Sequence, residues 1–315
     1  MSGSCERRMA IPADLYEINR RYLWGLCYRM TGNASDADDL VQETFVKALE
    51  HPPARVDLPM RPWLVRVALN LSRDLLRSRR RRQADVWLPS PVPSEDLEAP
   101  PSFEPRASEG DSPMARYDML ESVSFAFLLA LEALTPSQRA VLLLRDVLDY
   151  STAETAEALG SSESSVKVTL LRARRAMQSY DKEKIARSPA HLDLTNRALE
   201  QFLLYLGAGN VEALEKLLTA DVVSISDGSG EVAAALKPIY GRDKVLRLIL
   251  KTAERFGDSI GVILRSLNGA PAIVFETQAY LPNHVTRFTM HCDVDQSGLI
   301  RRLNFVLAPS KLRRL

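Results

Sequence analysis

A proline-rich segment at residues 83–113 most restricts how this chain can fold. It contains seven prolines, and between Asp85 and Asp111 it carries seven acidic residues against one arginine. Because proline lacks a backbone donor and clashes with the preceding helical turn, no helix of ordinary length continues through this segment. We therefore predict that the segment is a linker, and that the chain of 315 residues folds as two or three domains.

Hydrophobic periodicity divides the rest of the chain into three blocks. Residues 12–82 and 114–182 repeat apolar positions with helical spacing, whereas residues 191–315 begin helical and then alternate apolar and polar positions. Such alternation is typical of antiparallel strands with one buried face. The predicted architecture is multidomain, with two all-α domains followed by a C-terminal α+β cone.

Composition and charge exclude several other classes of protein. The three cysteines, Cys5, Cys27 and Cys292, are too few and too scattered for a disulfide framework or a metal site, and no cofactor is expected. No apolar run approaches the roughly 18 residues of a membrane span. The N-terminal residues lack the apolar core of a signal peptide, so a cytoplasmic protein is predicted. The net charge of +1 does not argue against nucleic-acid binding, because local charge matters more.

The stretch TGNASDADDLVQETFVKALE, residues 31–50, is predicted to be a helix with one buried and one acidic face. Ser35 and Asp38 have the spacing of a capping box. The predicted buried positions are Ala37, Leu40, Val41, Thr44, Phe45, Ala48 and Leu49. Asp36, Asp39 and Glu43 share the other face. This spacing fits either a solvated surface or a docking surface for a basic partner.

The next stretch, residues 61–82, carries eight arginines and one acidic residue, a net charge of +7. Its predicted buried stripe is Leu64, Val67, Ala68, Leu71 and Leu75. Packing so many like charges on one helix is unfavourable unless a polyanion neutralises them, as a nucleic-acid backbone does. Nucleic-acid contact is therefore predicted here, and a solubilising basic tail is the alternative.

Residues 134–180 have the spacing of a helix-turn-helix unit. Thr135 is predicted to cap the preceding helix, and Gly160 to permit the left-handed turn between the two helices. The second helix would present its N-terminal positions to base edges and its later arginines to phosphates. The base-edge candidates are Ser164, Ser165, Lys167, Val168 and Thr169, and the phosphate candidates are Arg172, Arg174 and Arg175. A plain helical hairpin with a basic face remains the alternative.

Together, DADDLVQETFVKAL, RPWLVRVALNLSRDLLR and the stretch from Leu134 to Met177 resemble the extracytoplasmic-function sigma factors of bacterial RNA polymerase. The resemblance implies region 2 at 12–82, a linker at 83–113 and region 4 at 114–182. It implies core RNA polymerase, through its clamp coiled coil and flap, and promoter DNA as partners. The implied polymerase-binding residues are Asp36, Asp39, Gln42 and Glu43, and those for the −10 element are Arg66, Asn70, Arg73 and Arg77. The helix-turn-helix unit would bind the −35 element, although Thr169 stands where the family often has a basic residue.

The C-terminal block, residues 191–315, resembles the SnoaL-like, nuclear-transport-factor-type fold, which has a pocket inside a cone. His284, His291, Asp293 and Asp227 allow an acid–base interpretation. No paired set with a catalytic spacing is visible among them, so the protein is predicted not to be an enzyme.

A subgroup of these sigma factors carries this extension and three short motifs. WLPSPVP, from Trp87 to Pro93, matches its linker motif, and DGSGE, from Asp227 to Glu231, matches its glycine-rich turn. APSKL, from Ala308 to Leu312, matches the tail motif loosely, without its asparagine and its acid. The resemblance implies that the extension regulates the factor in cis through intramolecular contacts with the linker and sigma domains. The implied residues are Trp87, Pro89, Asp227, Gly228 and Gly230.

Two other functions are consistent with the same blocks. One is a helix-turn-helix regulator that senses a small molecule in the cone. The other is a cone enzyme, such as a cyclase or isomerase, fused to a DNA-binding module. The acidic helix at 36–50 distinguishes the first of these from a sigma factor, because such a regulator needs no polymerase-docking surface.

Overall fold

The computed structural model describes residues 13–52, 60–80, 86–97, 116–119, 121–184, 188–256, 260–277 and 285–315. Its helices are α1 (Ala13–Thr31), α2 (Ala34–Glu50), α3 (Met60–Arg80), α4 (Phe125–Ala130), α5 (Pro136–Asp146), α6 (Thr152–Leu159), α7 (Glu163–Ala176), α8 (Gln178–Lys184), α9 (Pro189–Gly207), α10 (Val211–Lys216) and α11 (Arg242–Phe256). Its strands are β1 (Leu218–Asp227), β2 (Ile239–Tyr240), β3 (Ile260–Leu267), β4 (Ala270–Thr277), β5 (Arg287–Val294) and β6 (Ile300–Val306).

These elements form two compact units. The first contains the described residues within 1–81, 99–122 and 131–176, and the second those within 82–98, 123–130 and 177–315. The described residues of the predicted linker, 86–97, therefore belong to the second unit. Residues 123–130, which include α4, belong to it as well. The predicted domain bounds remain a prediction.

Helix α2 forms as predicted, but its cap and one edge of its buried stripe differ. The N-cap is Asn33, whose side chain accepts a hydrogen bond from the backbone N–H of Asp36, so the predicted Ser35–Asp38 capping box is wrong. Leu49 is 52% exposed, so its predicted burial is also wrong. The apolar stripe ends at Ala48, one residue earlier than the spacing indicated.

Helix α3 buries a different stripe from the predicted one. Leu64 and Ala68 are buried as expected, whereas Val67, Leu71 and Leu75 are only half-buried. The other buried positions are Val65, Leu69, Ser72 and Leu76. The stripe therefore lies about one position further along the helix, because α3 packs against both α1 and α2.

The helix-turn-helix unit has the predicted cap at Thr135 and the predicted turn at Gly160. Thr135 caps α5 in a complete capping box with Gln138, and Ser151 caps α6 in a second one with Glu154. Gly160 ends α6 in the left-handed conformation, with φ of 60°. Its core consists of Val141, Ala156, Val166 and Leu170, with Leu159 packed against them.

Two buried arginines tie together the helices of the first unit. Arg29 of α1 donates to Ser122 Oγ at 2.7 Å and to the Met119 carbonyl at 3.0 Å. Burial lowers the pKa of Arg29 to about 10, which leaves it charged at neutral pH. Arg139 of α5 donates to the Met30 carbonyl at 2.8 Å. Charged donors thus satisfy carbonyls in the interior, which the apolar periodicity did not predict.

The second unit is a six-stranded sheet with helices on one face. The strand order is β2-β1-β6-β5-β4-β3. The four strands β3 to β6 pair antiparallel in chain order, which confirms the predicted antiparallel strands, whereas β1, whose orientation the sequence left open, pairs parallel with β6 and antiparallel with β2. Helices α9 and α11 cover one face, where Phe202, Ile249 and Met290 belong to a single core.

The opposite face of the sheet is covered by chain segments from outside the C-terminal block. Leu88 of the linker and Phe125 of α4 pack with Val306 and Leu312 in a second core. The Phe125 ring stacks on the His291 ring at a centroid distance of 4.2 Å. Among the described residues, no helix is long and apolar enough to cross a membrane.

Candidate functional site

Helix α2 exposes a surface that combines acidic and apolar side chains. Asp39, Gln42 and Glu43 are exposed, as the docking interpretation requires. Val46 and Leu49 lie beside them and are 49% and 52% exposed. We call these five residues the α2 surface. Two large apolar side chains on the exposed side of a packed helix mark an interaction surface more strongly than acidic residues alone.

The fourth predicted polymerase-binding residue, Asp36, has a different environment. Its carboxylate forms an ion pair with the guanidinium of Arg79, and both side chains are mostly buried. Arg79 also donates to the Thr31 carbonyl at 3.4 Å. Asp36 therefore joins the start of α2 to the end of α3, and it is not part of the α2 surface.

The four predicted −10 residues share one face of α3. Arg66, Asn70, Arg73 and Arg77 follow at helical spacing, and all but Arg73 are exposed. Arg77 pairs with Asp74 at 2.8 Å in an exposed contact that solvent screens.

Arg73 is the half-buried member of this set, and it contacts α5. It donates to Ser137 Oγ at 3.3 Å, and its pKa is lowered by burial and by the charge of Arg77. A negative charge brought to this face would relieve the repulsion between the two arginines.

Most predicted −35 residues are exposed on α7. Ser164, Ser165, Lys167, Arg172 and Arg175 are exposed, and Thr169 is half-buried. The Ser162 hydroxyl accepts from the Ser165 backbone N–H at 3.2 Å, which fixes the start of α7. The base-edge candidates thus lie on the N-terminal half of a helix that follows a tight turn, as DNA binding through the major groove requires, and the phosphate candidates follow on its C-terminal half.

Arg174 is the exception among the α7 arginines. Its guanidinium forms two hydrogen bonds with the carboxylate of Asp146, at 2.9 and 2.6 Å. The Asp146 side chain is 1% exposed and belongs to α5. The bidentate pair holds α7 to α5. We therefore leave Arg174 out of the proposed DNA-contacting residues.

In the second unit, a buried ion pair holds the backbone of the linker. Lys311 Nζ lies 2.6 Å from Asp227 Oδ2, and the two side chains are 3% and 2% exposed. The Leu88 N–H donates to Asp227 Oδ2 at 2.7 Å, and Lys311 Nζ donates to the Leu88 carbonyl at 2.6 Å. The pair thus binds both backbone polar groups of Leu88 through direct hydrogen bonds.

Asn268 holds the linker at a second point. Its side-chain oxygen accepts from the Val92 N–H at 3.0 Å, and its own N–H donates to the Val92 carbonyl at 2.9 Å. Its amide group also donates to the Val123 carbonyl at 3.0 Å. Asp227, Asn268 and Lys311 together form what we call the linker clamp.

The other predicted regulatory residues surround this clamp. The Trp87 ring lies 4.8 Å from Lys311 Nζ in a cation–π contact, and Pro89 is buried. A Cβ atom on Gly228 would stand 2.5 Å from the Val232 carbonyl oxygen, so the turn accepts no side chain there. Gly230 has a φ of 75°, which favours glycine.

Sequence reasoning missed Asn268 and gave no role to Lys311. Asn268 has a φ of 55° and Gly269 a φ of 71°, as in the tight Asn-Gly hairpins that join antiparallel strands. That dipeptide was a visible signal for a hairpin, but not for a side chain that binds the linker. The APSKL tail, despite its departures from the family motif, supplies the lysine of the clamp.

The described residues of the acid–base interpretation, His291, Asp293 and Asp227, have separate environments. His291 is buried under Phe125 on the clamp side of the sheet, and Asp227 belongs to the clamp. Asp293 lies 4.0 Å from Arg302, and His284 lies outside the described residues. No group of three potential metal ligands occurs in the described part of the chain. Among the described residues of this set, no general acid faces a general base.

Residues 15–82 match the family described as Sigma-70 region 2, and residues 124–177 match Sigma-70, region 4. The chain is 32% identical over 254 residues to the ECF RNA polymerase sigma factor SigJ of Mycobacterium tuberculosis, covering 78% of this chain and 74% of SigJ. The chain belongs to the extracytoplasmic-function RNA polymerase sigma factors. This confirms the family predicted from the sequence, which is not an enzyme family.

Two further matches cover nearly the whole sigma factor. The chain is 28% identical over 299 residues to the probable ECF RNA polymerase sigma factor SigI of M. tuberculosis, and the match covers 94% of this chain and 93% of SigI. The crystal structure of M. tuberculosis SigJ matches with a TM-score of 0.65 and 26% identity, covering 95% of this chain and 97% of that chain. The helical sigma domains and the C-terminal SnoaL-like sheet domain are therefore confirmed.

Proposed function

We propose that this chain binds core RNA polymerase, directs it to promoters and is regulated in cis by its C-terminal domain. Family membership supports the first two activities. The observation that carries the regulatory part is the linker clamp, in which buried side chains of the C-terminal domain bind the linker backbone through direct hydrogen bonds. As a transcription factor it would act in the cytoplasm, at the chromosome.

The α2 surface is the proposed docking site for the polymerase clamp coiled coil. Its acidic residues Asp39 and Glu43 would attract a basic helix, while Val46 and Leu49 would bury apolar area on binding. An isolated solvated surface needs no exposed leucine and valine one turn apart. The apolar pair therefore favours docking over the solvated alternative that the charges alone left open. A contact with the polymerase flap is proposed from the family alone.

An affinity measurement tests this assignment. Leu49→Ala removes an exposed side chain, so we expect weaker binding to core RNA polymerase by roughly 1–2 kcal/mol with an unchanged melting temperature. Leu204→Ala is the matched control, because Leu204 is 66% exposed on α9. If both variants bind the polymerase as tightly as the wild type, the α2 surface is not the docking site.

The DNA-binding proposal assigns opened −10 DNA to α3 and the −35 element to α7. Arg66, Asn70 and Arg77 of α3 are exposed for backbone and base contact. On α7, Ser164, Ser165, Lys167 and Thr169 would meet bases, while Arg172 and Arg175 would meet phosphates. In a strand-opening region an extruded base is captured by side chains, and the surrounding arginines would hold the backbone.

The clamp would regulate by fixing the path of the linker between the two DNA-binding helices. Regions 2 and 4 must bind promoter elements separated by about two helical turns, so the freedom of the segment between them matters. Leu88 to Pro93 are buried in the second unit, and their polar backbone groups at Leu88 and Val92 are satisfied by the clamp. Holding these residues removes conformations that a free linker of this length would populate.

Transcription assays test the regulatory proposal. Run-off transcription with core polymerase and the full chain should change when Lys311→Met releases the linker. Lys216→Met is the matched control, because Lys216 forms an equally short but exposed pair with Glu212. Promoter activity that is the same for wild type and Lys311→Met, with the C-terminal domain still folded, would refute regulation through the clamp.

A further inference from the structure

The second unit contains a cavity of about 630 Å³ between α9, α11 and the helical face of the sheet. Its walls are apolar and partly aromatic, with Phe202, Phe275, Phe288 and Phe305 among the lining residues. The polar lining residues are Ser226, Thr252 and Arg255. Cavities of this size with apolar walls and a few polar groups are typical of small-molecule sites.

The lining restricts the chemistry of a ligand. No acidic residue and no histidine occurs among the described lining residues, so the cavity offers no counter-charge for a cation and no acid–base pair. The Thr252 hydroxyl donates to the Leu248 carbonyl at 2.8 Å, which leaves its oxygen as an acceptor. Ser226 can donate or accept. A mostly apolar molecule with a carbonyl or hydroxyl group fits this set.

The cavity and the linker clamp share the ends of the same two strands. Ser226 lines the cavity, and the next residue, Asp227, holds Leu88. Likewise Phe305 and Leu307 line the cavity, and Val306 between them packs against Leu88. The Leu307 N–H donates to the Asp227 carbonyl at 2.8 Å, which joins the two strand ends. A shift of either strand on the cavity side would therefore move a residue that holds the linker.

We infer that this cavity binds a mostly apolar small molecule bearing a carbonyl or hydroxyl group, and that its occupation changes the hold of the clamp on the linker. Its consequence for transcription rests on the proposed cis regulation, but binding and coupling can be measured without transcription. The ligand acts through differential affinity for two states of the clamp, because equal affinity for both would shift nothing.

The binding half is tested with Nile red, an apolar fluorophore that carries a carbonyl group. The full-length wild type should give saturable fluorescence, and Ala253→Trp, which fills the cavity from α11, should raise the Kd of the dye roughly tenfold or more. Lys251→Trp is the matched control, because Lys251 is exposed on the same helix. If Ala253→Trp does not fold, Ala235→Phe fills the cavity from the segment between β1 and β2. Dye binding that no folded cavity-filling variant weakens would overturn the site.

The coupling half is tested by amide hydrogen exchange of residues 86–97. Saturating Nile red should change the exchange rates of the Leu88 and Val92 amides by roughly threefold or more in the wild type, and not in Ala253→Trp. Unchanged exchange at both amides with the dye bound would overturn the coupling. Because this readout involves neither polymerase nor DNA, its failure is distinguishable from failure of the proposed transcription function.

Discussion

Lys311 and Asp227, which are 84 positions apart, form an ion pair of 2.6 Å in the interior of the second unit. Between them they bind the N–H and the carbonyl of Leu88. A buried pair is seldom retained for stability alone, because apolar residues of similar volume often stabilise as well. An apolar pair in its place could not bind the N–H and the carbonyl of Leu88, which would then be buried without partners.

Removing one partner of the buried Lys311–Asp227 pair should destabilise the C-terminal domain. Lys311→Met leaves the Asp227 carboxylate buried without its cation, so we expect the free energy of unfolding of the C-terminal domain to fall by about 3–5 kcal/mol. Chemical denaturation followed by circular dichroism measures it. Lys216→Met should lose less than about 0.5 kcal/mol, because the pair of Lys216 and Glu212 is exposed. Equal losses in the two variants would show that burial of the Lys311 pair has no effect.

The DGSGE turn should not tolerate a side chain at Gly228. A methyl group there would meet the Val232 carbonyl oxygen at 2.5 Å and the Ala234 side chain at 3.0 Å. Gly228→Ala should destabilise the domain by roughly 1–3 kcal/mol, measured as a lower melting temperature. Gly207→Ala is the control, because nothing lies within 4 Å of a Cβ atom at that helical position. A melting temperature for Gly228→Ala at or above that of Gly207→Ala would contradict the close approach.

The two arginines of α7 should behave differently when replaced. Arg172→Ala should leave stability unchanged. It should reduce the slope of log K against log salt concentration for promoter binding by about 1, as expected for the loss of one phosphate contact. Arg174→Ala removes the partner of buried Asp146, so it should cost about 1–3 kcal/mol of stability. Fluorescence anisotropy at several salt concentrations, together with thermal melts, separates the two effects. A reduced salt slope for Arg174→Ala without loss of stability would reverse our assignment.

Stability should depend on the protonation of His291. Burial lowers its pKa to about 3, against about 6.5 in an unfolded chain. Between these values the unfolded state binds a proton that the folded state excludes. The free energy of unfolding should therefore decrease as pH falls below about 6.5, by up to about 1.4 kcal/mol per pH unit, until about pH 3.

His291→Phe isolates this contribution, because it keeps an aromatic ring against Phe125 and removes the titration. The difference in unfolding free energy between wild type and variant should change with pH in that window. Chemical denaturation of both proteins at pH 7 and at pH 5 measures this difference in unfolding free energy. A difference that is constant with pH would mean that His291 takes up its proton equally well in both states.

Much of the fold could be predicted because its signals are local. The caps at Thr135 and the turn at Gly160 depend on residues a few positions away, and they form as the sequence indicated. The buried stripe of α3 was predicted one position off, because both α1 and α2 contact the helix and periodicity alone does not fix its rotation. On α2, Leu49 was assigned to the core because it is apolar and lies at the edge of the buried stripe. Spacing alone cannot distinguish a buried residue from an exposed apolar residue at such an edge.

The clamp could be predicted only in outline. The resemblance implied that the WLPSPVP and DGSGE motifs matter together, but the contacts between them join residues more than a hundred positions apart, as Leu88 and Asp227 show with a separation of 139. Asn268 carried a turn signal that did not reveal its second role. Arg174 was assigned to a phosphate contact because of its charge. The sequence alone did not show that the Asp146 carboxylate, on another helix, binds its guanidinium.

The measurement that most directly tests the proposed regulation is run-off transcription by core polymerase on a promoter library with varied spacing between the −10 and −35 elements. With the wild-type full chain, we expect transcription from a narrow range of spacings. With Lys311→Met, checked by circular dichroism to be folded at the assay temperature, a broader range should be transcribed because the linker is released. Identical spacing profiles for the two proteins would contradict the proposal that the C-terminal domain acts by holding the linker.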